Sequence, residues 1–165
     1  MRVWLRACLV GLLLAVAVPS VACGPAVDLT KGLQILDVAT GWFDAGLVNG
    51  QNKLVPTISF KLKNVSDQKL SVLQVNVLFK RINDPAEWGN GFVTVVGSSG
   101  LAPGATTETL TIKSNLGYTG SDQTRQEMLK NAHFVDAKVE FFAKYGSVQW
   151  ARLADFPVTR TLITN

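Results

Sequence analysis

The chain has 165 residues, of which 47% are hydrophobic and 17% are charged, and its formal net charge is +4. A chain of this length suits one domain with its own hydrophobic core. Beyond the pair Lys80-Arg81 the basic residues are scattered along the sequence, so no nucleic-acid partner is expected.

Residues 1–22 have the layout of a secretory signal peptide. Arg2 and Arg6 precede an apolar run over residues 7–18, and small residues including Ala22 follow it. An apolar run of this length is too short to span a bilayer comfortably, and the basic start is typical of export signals. The rest of the chain is therefore expected outside the cytoplasm, where removal of the two arginines lowers its net charge to +2.

The end of this segment, Ser-Val-Ala-Cys over residues 20–23, resembles the lipobox of bacterial lipoproteins. The resemblance implies that Cys23 becomes the first mature residue and carries a thioether-linked lipid, although the family usually has Leu where this chain has Ser20. Since Cys8 is lost with the signal, Cys23 is the only mature cysteine and no internal disulfide is possible. The alternative is ordinary signal-peptidase cleavage after Ala22, which would give a secreted or periplasmic protein.

These features divide the chain into a signal peptide (1–22), a lipid-anchored tether (23–32) and a β-sandwich domain (33–165). The tether would place the protein on a membrane through its N-terminal lipid without spanning that membrane. Gly24 stands where enterobacterial lipoproteins that stay in the inner membrane have Asp. This resemblance implies an outer-membrane lipoprotein that faces the periplasm.

Alternation of polar and apolar residues predicts the first half of the domain. A first strand is predicted over 33–40, and residues 41–53 are predicted as a loop that carries Trp42 and Phe43. Two strands with one buried face follow, separated by turn residues at 64–67, and we expect them to pair as a hairpin. Their buried faces consist of Ile58, Phe60 and Leu62 in one strand and Leu73, Val75, Val77 and Phe79 in the other.

The second half continues with short extended segments and one helix. A loop at 83–91 carries Trp88, and residues 101–104 form a tight connection. The helix is predicted over 123–131 with Ser121 or Asp122 as its N-cap. Further strands are predicted at 92–96, 107–112, 135–141, 148–153 and 156–163.

About seven or eight short strands with polar turns predict an all-β protein. The expected architecture is an antiparallel immunoglobulin-like β-sandwich with one short helix. A small closed barrel is the alternative.

Three segments resemble the β-sandwich domains of bacterial envelope lipoproteins grouped as FxLYD-like or telokin-like. They are residues 56–66, which end in Lys-Asn-x-Ser, the alternating strand at 70–79, and the Leu-x-Pro-Gly turn at 101–104. The resemblance covers roughly half of the mature chain, and the segment 114–134 departs from it. It implies a sandwich fold and an envelope role, and it supplies no catalytic residues.

The sequence contains no pattern that names a reaction, so we expect a protein that is not an enzyme and has no metal or cofactor. His133 is the sole histidine and lies near Asn131 and Asp136, but no Gly-x-Ser-x-Gly nucleophile motif accompanies it. Asp84 and Glu87 beside Trp88 have the composition of a carbohydrate site, but a solvated turn explains them more simply.

The aromatic residues are the candidates for recognition. Trp42, Phe43 and Trp88 lie in predicted loops, and if two of these loops meet at one end of the sandwich they form an apolar binding patch. Burial of Trp42 and Trp88 in the core is the alternative, and Trp150 is expected in the core.

Two functions of different class follow. The first is a lipid-anchored envelope protein whose sandwich binds another envelope protein or a cell-wall polymer. The second is a periplasmic small-ligand carrier or weak enzyme with a pocket near the tryptophan-bearing loops. A large apolar cavity with convergent polar groups would favour the second, and a filled core with a flat aromatic patch or an uncovered strand edge would favour the first.

Overall fold

The computed structural model describes residues 26–164. The predicted signal peptide and the candidate lipidation site Cys23 lie outside these residues. Within them no helix is both long and apolar enough to cross a membrane. The elements are α1 (Leu29–Gly32), β1 (Leu33–Val48), β2 (Gln51–Asn64), β3 (Leu73–Arg81), β4 (Gly89–Val96), β5 (Leu110–Lys113), β6 (Tyr118–Gly120), α2 (Arg125–Lys130), β7 (Ala137–Tyr145), β8 (Ala151–Pro157) and β9 (Leu162–Ile163).

The strands form two sheets that pack face to face. The first sheet has the order β5-β2-β1-β9, with β6 also pairing with β2, and the second has the order β4-β3-β7-β8. Neighbouring strands are antiparallel except β1 and β9, which are parallel. The arrangement confirms the predicted β-sandwich over the closed barrel, with nine strands in residues 26–164 and a helical turn, α1, that was not predicted.

The core lies between the sheets and is built from the alternating apolar positions of β2, β3 and β7. The predicted inward-facing residues of β2 and β3 are all fully buried. Phe60 of β2 meets Phe141 of β7 edge to face, with 4.8 Å between the ring centroids, and so joins the two sheets. Complete burial of such a side chain contributes about 1.5–3 kcal/mol.

The predicted hairpin between β2 and β3 is wrong. The two strands belong to different sheets, and residues 65–72 carry the chain from one sheet to the other. Alternation identifies the buried face of a strand but not its hydrogen-bonding partner, which explains the error. Strand β2 instead pairs with β1.

The predicted loop at 41–53 is also wrong, because Trp42 and Phe43 lie within β1. Strands β1 and β2 form one long hairpin whose turn is Asn49-Gly50, with φ angles of 51° and 77°. Positive φ at both turn residues is the signature of a type I′ turn, for which Asn-Gly is the preferred sequence. A register shift between Asp44 and Leu47 accommodates Gly46. Gly46 thus lies in a bulge of the hairpin, and Asn49-Gly50 form its turn.

The packed part of the chain begins before residue 33, within the segment predicted as the tether. Asp28 caps α1 by accepting a hydrogen bond from the Thr30 backbone N–H at 3.0 Å, and Leu29 is buried in the core. The backbone N–H of Val27 donates to the Tyr145 hydroxyl at the end of β7.

Helix α2 covers much of the predicted helix, but its N-cap is Thr124 and not Ser121 or Asp122. The Thr124 hydroxyl accepts from the Glu127 N–H at 3.2 Å, and the Glu127 carboxylate accepts from the Thr124 N–H at 2.7 Å. This reciprocal pair is a capping box, which the order Thr-Arg-Gln-Glu signals in the sequence.

The buried side chain of Asn64, at the end of β2, connects three segments of the chain. Its Nδ2 donates to the carbonyls of Gln68 at 2.8 Å and Leu101 at 2.9 Å. Its Oδ1 accepts from the backbone N–H of Ser66 at 3.0 Å and from the Ser66 hydroxyl at 2.7 Å. One amide thus joins the Lys-Asn-x-Ser turn to the Leu-x-Pro-Gly turn.

The substitution Asn64→Ala is expected to lower the free energy of unfolding by about 2–4 kcal/mol, because it removes four side-chain hydrogen bonds at a fully buried position and leaves a cavity. Urea unfolding measures the loss. Asn90→Ala is the control, since Asn90 is exposed and its side chain donates to Glu87. Its expected effect is below about 0.5 kcal/mol, and equal losses in the two variants would contradict the role given to Asn64.

The outer face of the second sheet contains one buried carboxylate, Glu140, which is only 7% exposed. Lys80 lies 2.9 Å, Lys138 3.3 Å and Arg152 3.5 Å from its oxygens. The hydrogen bond from Lys80 is the main reason that the pKa of Glu140 lies below its ordinary value, and Lys138 and Arg152 act in the same direction. A lowered pKa means that folding stabilises the ionised form.

The variant Glu140→Gln is expected to lose about 1–3 kcal/mol of stability at pH 7. Because the pKa is lower in the folded state, the contribution of Glu140 is full above the unfolded pKa of about 4.3 and is lost as the pH falls through the folded value. Urea unfolding of both proteins at several pH values measures the difference between them, which should shrink in acid. A difference that stays constant with pH would refute the ionic contribution.

Candidate functional site

Four aromatic side chains meet at the end of the sandwich opposite α1. Trp42 of β1 lies 4.6 Å from Phe134, 5.7 Å from Tyr118 and 6.1 Å from Trp88, measured between ring centroids. Tyr118 lies 4.8 Å from both Trp88 and Phe134. We call these four residues the aromatic cluster. The structure therefore brings Trp42 and Trp88 together at one end of the sandwich.

The members of the cluster differ in depth. Trp42 is fully buried and Phe134 nearly so, whereas Trp88 and Tyr118 are half-buried. The indole Nε1 of Trp42 has no hydrogen-bond partner among the described residues. Trp42 thus forms the buried base of the cluster, and Trp88 and Tyr118 are the members that reach the surface.

Phe43 does not join the cluster, because neighbouring residues of a strand point to opposite faces. The ammonium group of Lys113 lies 3.2 Å from the centroid of its ring, a cation–π contact on the outer side of the first sheet. The partner-binding role predicted for Trp42, Phe43 and Trp88 stays a prediction.

The expectation that Trp150 lies in the core is wrong. Its side chain is 39% exposed, and it packs edge to face on Phe92, which is 57% exposed, at 6.3 Å between centroids. Trp150 precedes β8 and Phe92 lies in β4, at opposite edges of the second sheet. Since the two rings still meet, the Trp150 ring lies across the outer face of this sheet.

Sequence reasoning missed Tyr118 and Phe134, which lie in a stretch without clear alternation. Gly117 offers a partial signal, because a Cβ at this position would lie 2.0 Å from the carbonyl oxygen of Leu54. Only glycine permits this close approach, which brings β6 onto β2 and turns Tyr118 toward Trp42.

A cleft of about 120 Å³ opens beside the cluster, between β6, α2 and the loop that precedes β7. Burial raises the pKa of the Tyr118 phenol, which stays protonated and donates to the Val135 carbonyl at 3.3 Å. The apolar part of the lining consists of Tyr118, Met128 and Phe134, and the polar part of Thr119, Gln123, Asn131 and His133. An apolar base with a polar rim is typical of a site that receives one anchoring side chain.

Arg160 fixes the loop that forms one wall of the cleft. Its guanidinium donates to the Asp136 carboxylate at 2.6 Å and to the carbonyls of Phe134 at 2.9 Å and Leu129 at 3.1 Å. The same group lies 5.2 Å from the centroid of the Phe134 ring. A planar fork of donors can make these contacts together, which an ammonium group cannot.

The polar residues considered for catalysis are engaged in turns. The His133 backbone N–H donates to Asn131 Oδ1 at 2.8 Å, and Asp136 binds Arg160, so neither orients the exposed imidazole. Asp84 pairs with Arg81 at 3.2 Å, and Glu87 accepts from Asn90 at 2.6 Å. Residues 26–164 contain no group of three or more His, Cys, Asp or Glu side chains that could hold a metal ion.

Comparisons with protein-family models and with curated protein sequences find no match to this chain. The chain is similar to a solved structure described as "X-ray structure of Northeast Structural Genomics Consortium target SoR45", with 12% sequence identity and a TM-score of 0.47. The alignment covers 81% of this chain and 89% of that one. The function therefore has to be inferred from the residues of this chain.

The variant Arg160→Lys is expected to loosen the wall of the cleft and to cost about 1–3 kcal/mol of stability, because the two carbonyls lose their donors. Hydrogen exchange of the amides in residues 129–136 should become faster. Arg152→Lys is the matched control, because Arg152 lies on the outer face of the second sheet, where it pairs with Asp155. Unchanged exchange at 129–136 in Arg160→Lys would contradict the positioning role.

Proposed function

We propose that this protein is a non-catalytic, lipid-anchored component of the bacterial cell envelope whose β-sandwich binds another envelope component. The observation that carries the proposal is the small cleft beside the aromatic cluster, on an otherwise filled core. The cleft is the site at which we expect a side chain of a partner protein, or one unit of a cell-wall polymer, to insert.

The size of the cleft favours a binding module over a small-ligand carrier. Ligand sites usually have volumes of about 300–1,000 Å³ and enclose most of the ligand, whereas this cleft has about 120 Å³. The space between the sheets is occupied by packed side chains such as Phe60, Phe141 and Trp42. The larger depressions of the described residues, of about 320–460 Å³, are open grooves on the outside of the domain. A carrier or weak enzyme with an internal pocket is therefore the weaker alternative.

The composition of the surface around the cleft supports recognition of a partner. Trp88 and Tyr118 expose part of their rings, and aromatic residues of this kind are enriched at protein interfaces. The amides of Gln123 and Asn131 and the hydroxyl of Thr119 line the cleft and supply hydrogen-bonding groups.

The proposed anchor is Cys23, in an outer-membrane lipoprotein. Cys23 stands three residues before Ala26, where the described chain begins, and it is the only cysteine after the predicted signal peptide. The resemblance to FxLYD-like or telokin-like envelope domains supports the same role. Its two turn motifs meet in this structure through the hydrogen bond from Asn64 to the Leu101 carbonyl.

The proposal is tested by crosslinking a C-terminally tagged protein in its native envelope, solubilising with detergent, and identifying the captured components by mass spectrometry. We expect a component that is recovered with the wild type but lost with His133→Trp, because the exposed His133 lines the cleft and the larger ring would fill it. Thr109→Trp is the control, since Thr109 is exposed on the loop before β5. It should retain the component.

Mass spectrometry of the N-terminal peptide from the same sample tests the anchor. A lipid-modified Cys23 at the N-terminus is expected. An unmodified Cys23 would refute the anchor, and a protein recovered alone, or a component retained by His133→Trp, would refute the binding site.

A further inference from the structure

The chain enters the fold at the end of the sandwich opposite the aromatic cluster. Val27 donates to the Tyr145 hydroxyl at the end of β7, and Ala26 lies beside the loop at 65–68. We call this region the entry end; it comprises α1, the crossover at 65–72, and the connection between β7 and β8 at 146–150.

The proposed anchor attaches very close to this end. Cys23 precedes Ala26 by three residues, and three residues of fully extended chain span at most about 11 Å. Because the chain is packed from Val27 onward, a lipid on Cys23 leaves little slack between the domain and the bilayer. The entry end must then face the membrane.

The entry end exposes apolar side chains where the bilayer would lie. Val65 is 47% exposed and Val72 36% exposed. Val72 also adopts a φ of 50°, a left-handed conformation that is strained for a β-branched residue. The surrounding backbone enforces it, since the Val72 N–H donates to the Gly97 carbonyl at 2.9 Å and its carbonyl accepts from the Gly146 N–H at 3.3 Å.

Trp150 stands at the same end, directly before β8, with Phe92 packed against its ring. The ammonium group of Lys144 lies 5.1 Å from the centroid of the Trp150 ring. Tryptophan is enriched at membrane–water interfaces, where its amphipathic ring lies at the level of the lipid headgroups. Neighbouring lysines can hold their charge among the headgroups while their methylenes cover apolar surface.

The charges of the entry end are compatible with contact to an anionic lipid surface. Lys69 and Lys144 are not paired with an acidic side chain by any described ion pair, while Lys31 pairs with Asp28 at 3.6 Å. Asp67, in the crossover, is the other exposed acidic residue at this end. The entry end is only weakly basic. However, the lipid anchor raises the effective concentration of the domain at the bilayer, so weak contacts are enough to hold the entry end against the lipid surface.

We propose that the entry end docks on the bilayer surface with Trp150 at the level of the lipid headgroups. This inference rests on the proposed lipid anchor and adds a fixed orientation to it. Trp42 lies nine residues along β1 from Leu33, roughly 30 Å at the rise of a β-strand. Docking therefore presents the cleft beside the aromatic cluster to the periplasm.

The test uses the purified lipidated protein in vesicles of phosphatidylethanolamine and phosphatidylglycerol, with and without brominated acyl chains that quench nearby tryptophan. The mature chain contains Trp42, Trp88 and Trp150. Trp88→Phe retains Trp150, and its emission should fall in brominated vesicles. Trp150→Phe retains Trp88, and its emission should not change. Trp42 is common to both variants.

Flotation of the vesicles separates the two proposals. Protein that floats while neither variant is quenched, or both are quenched equally, would overturn the docking and leave the anchor in place. Protein that does not float would overturn the anchor and the docking with it. If the emission of Trp150 changes only with the number of protein molecules per vesicle, the entry end contacts a second copy of the chain. This result would also overturn the docking.

Discussion

The buried amide of Asn64 determines where the chain leaves the first sheet for the second. Its four side-chain hydrogen bonds fix the start of the crossover at 65–72 and tie it to the turn at 101–104. The junction helps to place β3 opposite β2, and the core between the sheets includes the contact of Phe60 with Phe141. A single polar side chain thus adds directional hydrogen bonds at the crossover to the non-directional packing between the two sheets.

The sequence predicts the strands of the core and their buried faces, because alternation reports directly on which side chains avoid water. It does not predict the pairing of those strands. Residues 57–63 and 73–79 follow each other in the chain, which favours a hairpin, yet they belong to different sheets. Asn49-Gly50 signals the true hairpin, and its positive φ angles match a type I′ turn, but the other glycines around it favour a loop.

The candidate site, like the sheets, is predicted from the sequence only in part: single residues can be identified, but contacts between distant residues cannot. The enrichment of tryptophan at interfaces makes Trp42 and Trp88 candidates for a binding site, and the fold brings them together. Tyr118, Phe134 and Arg160 come from distant parts of the chain, and no local pattern relates them. A large apolar side chain is expected in the core, but Trp150 precedes β8, whose own residues Leu153 and Phe156 pack against the core.

The parallel pairing of β1 with β9 has a consequence for the order of folding. The hydroxyl of Thr159 donates to the carbonyl of Thr40 at 2.6 Å, and these residues are 119 positions apart. Trp42 likewise donates its backbone N–H to Thr161 at 2.8 Å. The edge of β1 that faces β9 therefore stays unpaired until the last strand of the described chain has reached it. Such a contact closes slowly and leaves an exposed strand edge in the meantime. Until β9 closes it, this edge of β1 is open to pairing with other chains.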